Sequence, residues 1–169
     1  MSDDNEQTDP GSGSEESTEE FVRRRAFTLA ESTTEGVLGT IDSEGYPYTS
    51  LVELMFDGDD SFWLLLSNLA VHTDNIGRDV RASLLLREQP GDDQETLETT
   101  RGSYLGRVVE ADDRRDEIKP QYLQVHPGAE TFVDFADFRF YRFRIERARV
   151  VAGFGRIGWV GVDEMTDQQ

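Results

Sequence analysis

Between residues 36 and 67 three short apolar runs follow one another with only brief turns between them. The runs cover 36–42, 47–56 and 62–67, and Ser43-Glu44-Gly45 and Asp57-Gly58-Asp59-Asp60 separate them. Gaps this short cannot hold the crossover of a dozen or more residues that a parallel pair needs, so the runs are antiparallel neighbours. Gly45 suits a positive φ, and Asp57-Gly58 is a hairpin turn signal. The run 62–67 is apolar on both faces and therefore reads as a central strand. In 47–56 the alternation fails near Val52 and Glu53, which predicts a bulge there.

Other segments change period. Residues 19–31 read as a helix with Thr18 as N-cap and Phe21, Val22, Ala26, Leu29 and Ala30 along one stripe. Residues 68–80 fit a short helix through Leu69, Thr73, Ile76 and Val80. Strands follow at 81–87 and 99–111, with an acidic loop over 89–98. Asp112 caps a helix over 112–125 that Pro120 kinks, and 127–135 form a second short helix. Residues 138–145 and 147–153 read as two paired strands, with a bulge where the face changes between Phe140 and Tyr141. Strands in hairpin order with helices inserted late argue for an α+β fold: a mostly antiparallel six- to seven-stranded split β-barrel with short flanking helices. Residues 1–18 are expected as a disordered acidic tail, 19–162 as the domain and 163–169 as a short polar tail.

Charge narrows the partners. The chain has 169 residues and a formal net charge of −18. Such a surface repels phosphate backbones and anionic lipid, so neither nucleic acid nor membrane is an expected partner. Eight Asp or Glu and no base fall in residues 1–20, too polar to offset the entropy of ordering. Sixteen of the 17 bases are Arg, with Lys119 the single lysine, a halophilic balance in which carboxylates serve solvation. The competing reading is an acidic partner-binding face. There is no Cys, which removes disulfides, thiolate metal sites and thiol catalysis. No run approaches the ~20 apolar residues of a spanning helix, and the polar N-terminus does not resemble a secretory signal. The expectation is a soluble, cytoplasmic protein.

Gly153, Gly155 and Gly158 match G-x-G-x-x-G, but no helix and strand follow them, so they read as a bend in a terminal strand. Of two histidines, His126 precedes Pro127 and reads as a helix-ending side chain. His72 stands with Thr73 at the start of a helix, after Ser67 at a strand end. Hydroxyls, an imidazole and free backbone N–H groups there would cradle a phosphate; N-capping by Ser67 or Asn68 is the alternative. Arg139, Arg142, Arg144, Arg147 and Arg149 read as partners of carboxylates, and Phe132, Phe135, Phe138, Phe140, Tyr141 and Phe143 mostly as core.

Several segments together resemble the pyridoxamine 5'-phosphate oxidase-like, FMN-binding split-barrel superfamily, and within it the HugZ-type heme-utilisation branch. They are the Gly36 to Pro47 stretch with Ser50; Ser67, Ala70, His72, Thr73 and Asn75; Tyr122, His126, Pro127 and Ala129; Phe132, Phe135, Asp137 and Phe138; and Gly153 to Arg156. The resemblance implies a homodimer with two equivalent sites at its interface. It implies FMN as cofactor, with Ser50, Ser67, His72, Thr73 and Asn75 as cofactor-binding residues and a flavin-dependent oxidoreductase as the function. The alternative it implies is a heme-binding or heme-utilisation protein on the same fold, or a dimer that has lost its cofactor. The oxidase's phosphate-gripping cations fall here at Ser50, Met55, His72 and Thr73, so pyridoxamine 5'-phosphate oxidase activity itself is not expected. Heme-degrading members use a C-terminal His as iron ligand. Residues 159–169 contain none, which leaves His72 and His126.

Overall fold

The turn residues place their hairpins as read. In the computed structural model, which describes residues 16–91, 95–153 and 155–166, β1 (Glu35–Ile41) pairs antiparallel with β2 (Pro47–Glu53), and β3 (Met55–Phe56) with β4 (Ser61–Ser67). Gly45 (φ +89°) and Gly58 (φ +83°) take left-handed turn positions, which glycine adopts without steric cost. In place of the bulge expected at Val52 and Glu53 the strand breaks at Leu54. Its N–H donates to Thr34 O at 2.8 Å, and on either side of it the chain pairs with different neighbours.

Three further strands are β5 (Arg81–Arg87), β6 (Arg101–Glu110) and β7 (Phe138–Ala152), followed by β8 (Arg156–Gly161). All join one antiparallel eight-stranded sheet in the order β2-β1-β5-β6-β7-β4-β3, with β8 added on β7. The sheet curls into a half-barrel whose two ends the chain itself joins at Leu54. This is the α+β split barrel expected, with β2 and β3 as one interrupted run.

The C-terminal strands differ from the expectation. Residues 138–145 and 147–153 are not a pair but the single strand β7, which pairs with β6 along most of its length. Its N-terminal half also pairs with β4, and its C-terminal half with β8. The bulge is not at Phe140 and Tyr141, which are both buried because β7 packs on both faces. It lies where Leu105 pairs with Arg147 and Gly106 with Ile145, leaving Glu146 unpaired. Burial alternates through Tyr141, Phe143 and Ile145 and resumes one residue late at Ala148 and Val150, the phase shift an extra residue imposes. Gly106 makes this possible: a Cβ there would lie 1.9 Å from Arg144 O. Gly153 (φ +60°) and Gly155 (φ +118°) turn the chain from β7 into β8.

Two cores sit on opposite faces of β4 and β7. Inside the barrel Phe62, Leu64, Leu84, Tyr104 and Phe143 pack with α1 (Thr18–Ser32), which presents Val22, Ala26, Leu29 and Ala30. Tyr104 Oη donates to Ala26 O at 2.6 Å, pinning that helix to the barrel. The cap of α1 is Ser17, not Thr18: Ser17 Oγ accepts from Glu20 N–H while the Glu20 carboxylate accepts from Ser17 N–H, a capping box. On the other face Trp63, Leu65 and Phe140 pack against Ile118 and Tyr122 of α3 (Arg115–Val125) and against Ala129 and Val133. A 3-10 turn, Asp112–Arg114, precedes α3, and Asp112 spends its carboxylate on Phe140 N–H and Arg115 rather than on a cap. The helix runs through Pro120, and the short helix expected over 127–135 is a 3-10 turn, Pro127–Thr131.

Val162–Thr166, placed by sequence mostly in a polar tail, form the short helix α4, with Met165 fully buried. The acidic tail expected over 1–18 lies, up to residue 15, outside the described residues. Among the described residues no helix is long and apolar enough to cross a membrane.

Candidate functional site

The site begins where β4 ends. Buried on both faces, β4 stops at Ser67, whose Oγ donates to Asp137 Oδ2 at 2.6 Å and accepts from Leu69 N–H at 3.1 Å. Asn68 N–H donates to Asp137 O at 2.7 Å. These bonds tie the strand end to the residue preceding β7, 70 positions away in sequence. The chain then turns into α2 (Val71–Arg78), whose N-cap is Ala70, without a side-chain cap bond. Neither Ser67 nor Asn68 caps it. Thr73 Oγ1 donates back to Ser67 O at 2.7 Å, fixing the first turn of α2 against the strand end.

His72 projects from that first turn towards β2, and its Nδ1 lies 3.0 Å from Ser50 Oγ. Its Nε2 is enclosed and has no hydrogen-bond partner. Burial lowers the pKa of the imidazole below its ordinary value, so the neutral ring is favoured at pH 7.

Beside this ring lies a cleft of about 320 Å³. Leu51, Val52 and Glu53 of β2, Leu65, Leu66 and Ser67 of β4, Ala70 and His72 line it together with Phe132 and Phe138. The two Phe rings contact each other with centroids 5.0 Å apart. The lining is thus an apolar box with one imidazole, one hydroxyl and one carboxylate. None of its residues is Lys or Arg.

The five residues read from sequence separate into two groups. Ser67 and His72 line the cleft, and Ser50 holds His72 from the neighbouring strand. Thr73 serves the turn, and Asn75 is buried away from the cleft, its Nδ2 donating to Thr40 Oγ1 at 3.1 Å. Leu51, Phe132 and Phe138 were not read as cleft residues, because Leu51 lies some 80 residues from the Phe132–Phe138 pair and only the sheet order brings them together. His126 is the helix-ending residue expected. It is buried, stacked on Tyr122, and its Nε2 donates to Leu54 O at 2.9 Å.

The arginines of β7 are occupied elsewhere. Arg142 donates to Asp60 and Ser61, and Arg144 reaches Asp60 at 3.4 Å. Arg139 lies 3.7 Å from Asp112. Arg147 and Arg149 stack on the Trp159 ring, and among the described residues neither pairs with the carboxylate expected. Among the described residues no group of three or more His, Asp or Glu could hold a metal ion.

A phosphate fits this cleft poorly: it would meet Glu53 and no cation to offset its charge. The walls are aliphatic and aromatic, so an apolar or aromatic group suits the lining better than an anion does.

The family model described as CREG, beta-barrel matches residues 18–167. The chain is 37% identical over 120 residues to the "Non-canonical heme oxygenase HOZ, chloroplastic" of Arabidopsis thaliana, a match that takes 70% of this chain. It spans only 36% of that relative's length. A heme binding protein from Mycobacterium smegmatis superposes with a TM-score of 0.79 at 27% identity, over 86% of this chain and 60% of the other. A Clostridium acetobutylicum protein of the pyridoxinephosphate oxidase family superposes with a TM-score of 0.66 at 18% identity, over 87% of this chain and 98% of the other. That last likeness is one of fold alone, and it meets the split-barrel resemblance read from the sequence.

Proposed function

The chain belongs to the CREG β-barrel family, and from that footing we propose that it is a heme-binding protein whose porphyrin occupies the cleft between β2, the end of β4 and the Phe132–Phe138 pair. One observation carries the reading: the cleft is apolar, contains an imidazole with an unpartnered nitrogen and has no cation for a phosphate. The heme oxygenase and the heme binding protein among its relatives support it. FMN, which the sequence put first, would need its phosphate held by hydroxyls and backbone N–H groups beside Glu53.

The cleft opens on a face suited to a second copy. Leu51, Val37 and Leu85 lie directly opposite one another across β2, β1 and β5, and all three are exposed, Leu51 by 72%. A row of this kind is what an isologous dimer interface covers. Leu51 belongs both to the row and to the cleft, so a partner seated there would complete the wall of the heme site.

The test is an absorption spectrum of the purified protein before and after separate additions of hemin and FMN, each followed by desalting. A Soret band retained with hemin supports the proposal. Retained flavin bands with no bound heme would overturn it in favour of the flavin reading.

A further inference from the structure

A heme site needs something to hold the iron, and the geometry points to His72 as that ligand. Resting on the heme-binding reading above, we infer that His72 Nε2 would hold the iron and that Ser50 positions the ring by accepting the Nδ1–H. The chain has two histidines, and the Nε2 of the buried His126 is committed to Leu54 O. His72 is the imidazole that lines the cleft, and its Nε2 has no partner.

The tautomer follows from the neighbour. A nitrogen that binds a metal carries no proton, so the proton belongs on Nδ1. Ser50 Oγ, 3.0 Å from Nδ1, is placed to accept it. A bond of this kind orients a ligating imidazole and raises its basicity. Two elements therefore hold the ring: α2 supplies its backbone and β2 its hydroxyl. The unpartnered Nε2 also has a rationale under this assignment. A buried polar atom without a partner is destabilising, and iron supplies the missing interaction. The Nε2 is enclosed in the heme-free protein, so ligation requires cleft side chains to turn aside. Leu51, which shares the cleft lining with His72, is largely exposed and free to move.

The experiment compares wild type, His72→Ala, His72→Gln, Ser50→Ala and His126→Gln by hemin titration and by resonance Raman spectroscopy of the ferrous complex. The wild type is expected to show an iron–imidazole stretching mode. Both His72 variants are expected to lose it, and added imidazole to restore it in His72→Ala. Ser50→Ala is expected to keep the mode at a shifted frequency and to weaken hemin binding by about 10–100-fold. An unchanged mode in the folded His72 variants, or its loss in His126→Gln alone, overturns the assignment while leaving heme binding intact. Failure of the wild type to bind hemin overturns the heme reading itself, so the two failures are told apart. His72→Gln keeps a polar group beside Ser50, and circular dichroism confirms its fold before the spectra are compared.

Discussion

Replacing Gly106 by Ala tests whether the β7 bulge is as tight as described. A Cβ at this position would lie 1.9 Å from Arg144 O, 2.9 Å from its carbonyl carbon and 2.9 Å from Phe143 Cε1. Ordinary contact begins near 3.4 Å, so β6 and β7 would have to separate by about 1.5 Å, roughly a third of the normal spacing between paired strands. The obstacle is backbone, which cannot rotate away as a side-chain tip can. Overpacking of this kind costs about 1–3 kcal/mol, and each ladder bond lost beside it about 0.5–1.5 kcal/mol more. The expected loss is about 3 kcal/mol. With a urea m-value of about 2 kcal/mol/M, the unfolding midpoint falls by about 1.5 M. Gly77→Ala is the internal control. Gly77 lies inside α2 with nothing within 4 Å of its ideal Cβ, so the same substitution should stabilise by up to about 1 kcal/mol. Urea unfolding followed by Trp fluorescence reads both. A Gly106→Ala protein within 0.5 kcal/mol of wild type would refute the placement of the Arg144 carbonyl and with it the bulge.

Three further outcomes are expected. Tyr104→Phe removes the hydroxyl bond to Ala26 O without opening a cavity, and thermal or urea unfolding should show a loss of about 1 kcal/mol; no change would mean that α1 is held by packing alone. For Asp60, burial pushes the carboxyl up, but the Ser61 hydroxyl, Arg142 and Arg144 together hold it below its ordinary value. Its contribution to stability is therefore present above the unfolded carboxyl pKa and lost as pH falls through the folded one, so Asp60→Asn should lose less stability than wild type between pH 5 and pH 3. An identical acid limb in both proteins would count against the Asp60–Arg142 pair. Leu51→Glu places a charge in the Leu51–Val37–Leu85 row. Sedimentation should show wild type at dimer mass and the variant at monomer mass with an unchanged circular dichroism spectrum, whereas a monomeric wild type would remove the second copy from the site.

Local signals were legible where cause and consequence lie close in sequence. Gly45 and Asp57-Gly58 gave the hairpins, the doubly apolar 62–67 gave β4, and the change of period after Ser67 gave α2. Ser67 and His72, which the fold brings to one cleft, could be placed together because a strand end followed by a helix start is a local pattern. The long strand β7 was not legible, since the bulge at Glu146 shifts the alternation and mimics a strand boundary. Asn75 looked equivalent to Thr73 in sequence, but one lies in the interior against Thr40 and the other on the turn. The hydrogen bond between Ser50 and His72 joins residues 22 positions apart, and nothing in either residue's own neighbourhood announces the other. The cleft is likewise a product of sheet order, which brings β2, β4 and the Phe132–Phe138 pair together from separate stretches.

The break at Leu54 also governs how the barrel can assemble. The β1–β2 and β3–β4 hairpins are successive in the chain and each closes through a short turn, so both can form early and locally. In the finished sheet they stand at opposite ends, with β5, β6 and β7 between them, and β7 reaches its place only after residue 138 has been made. A nascent chain that has produced both hairpins holds the two ends of its sheet one residue apart with no middle to join them. Closure waits on the most distant strand pairing in the sheet, that of β4 with β7. That ordering makes the sheet a slow, high-contact-order folder, in which the cleft, built from β2, β4 and the chain around Phe138, is among the last features to appear.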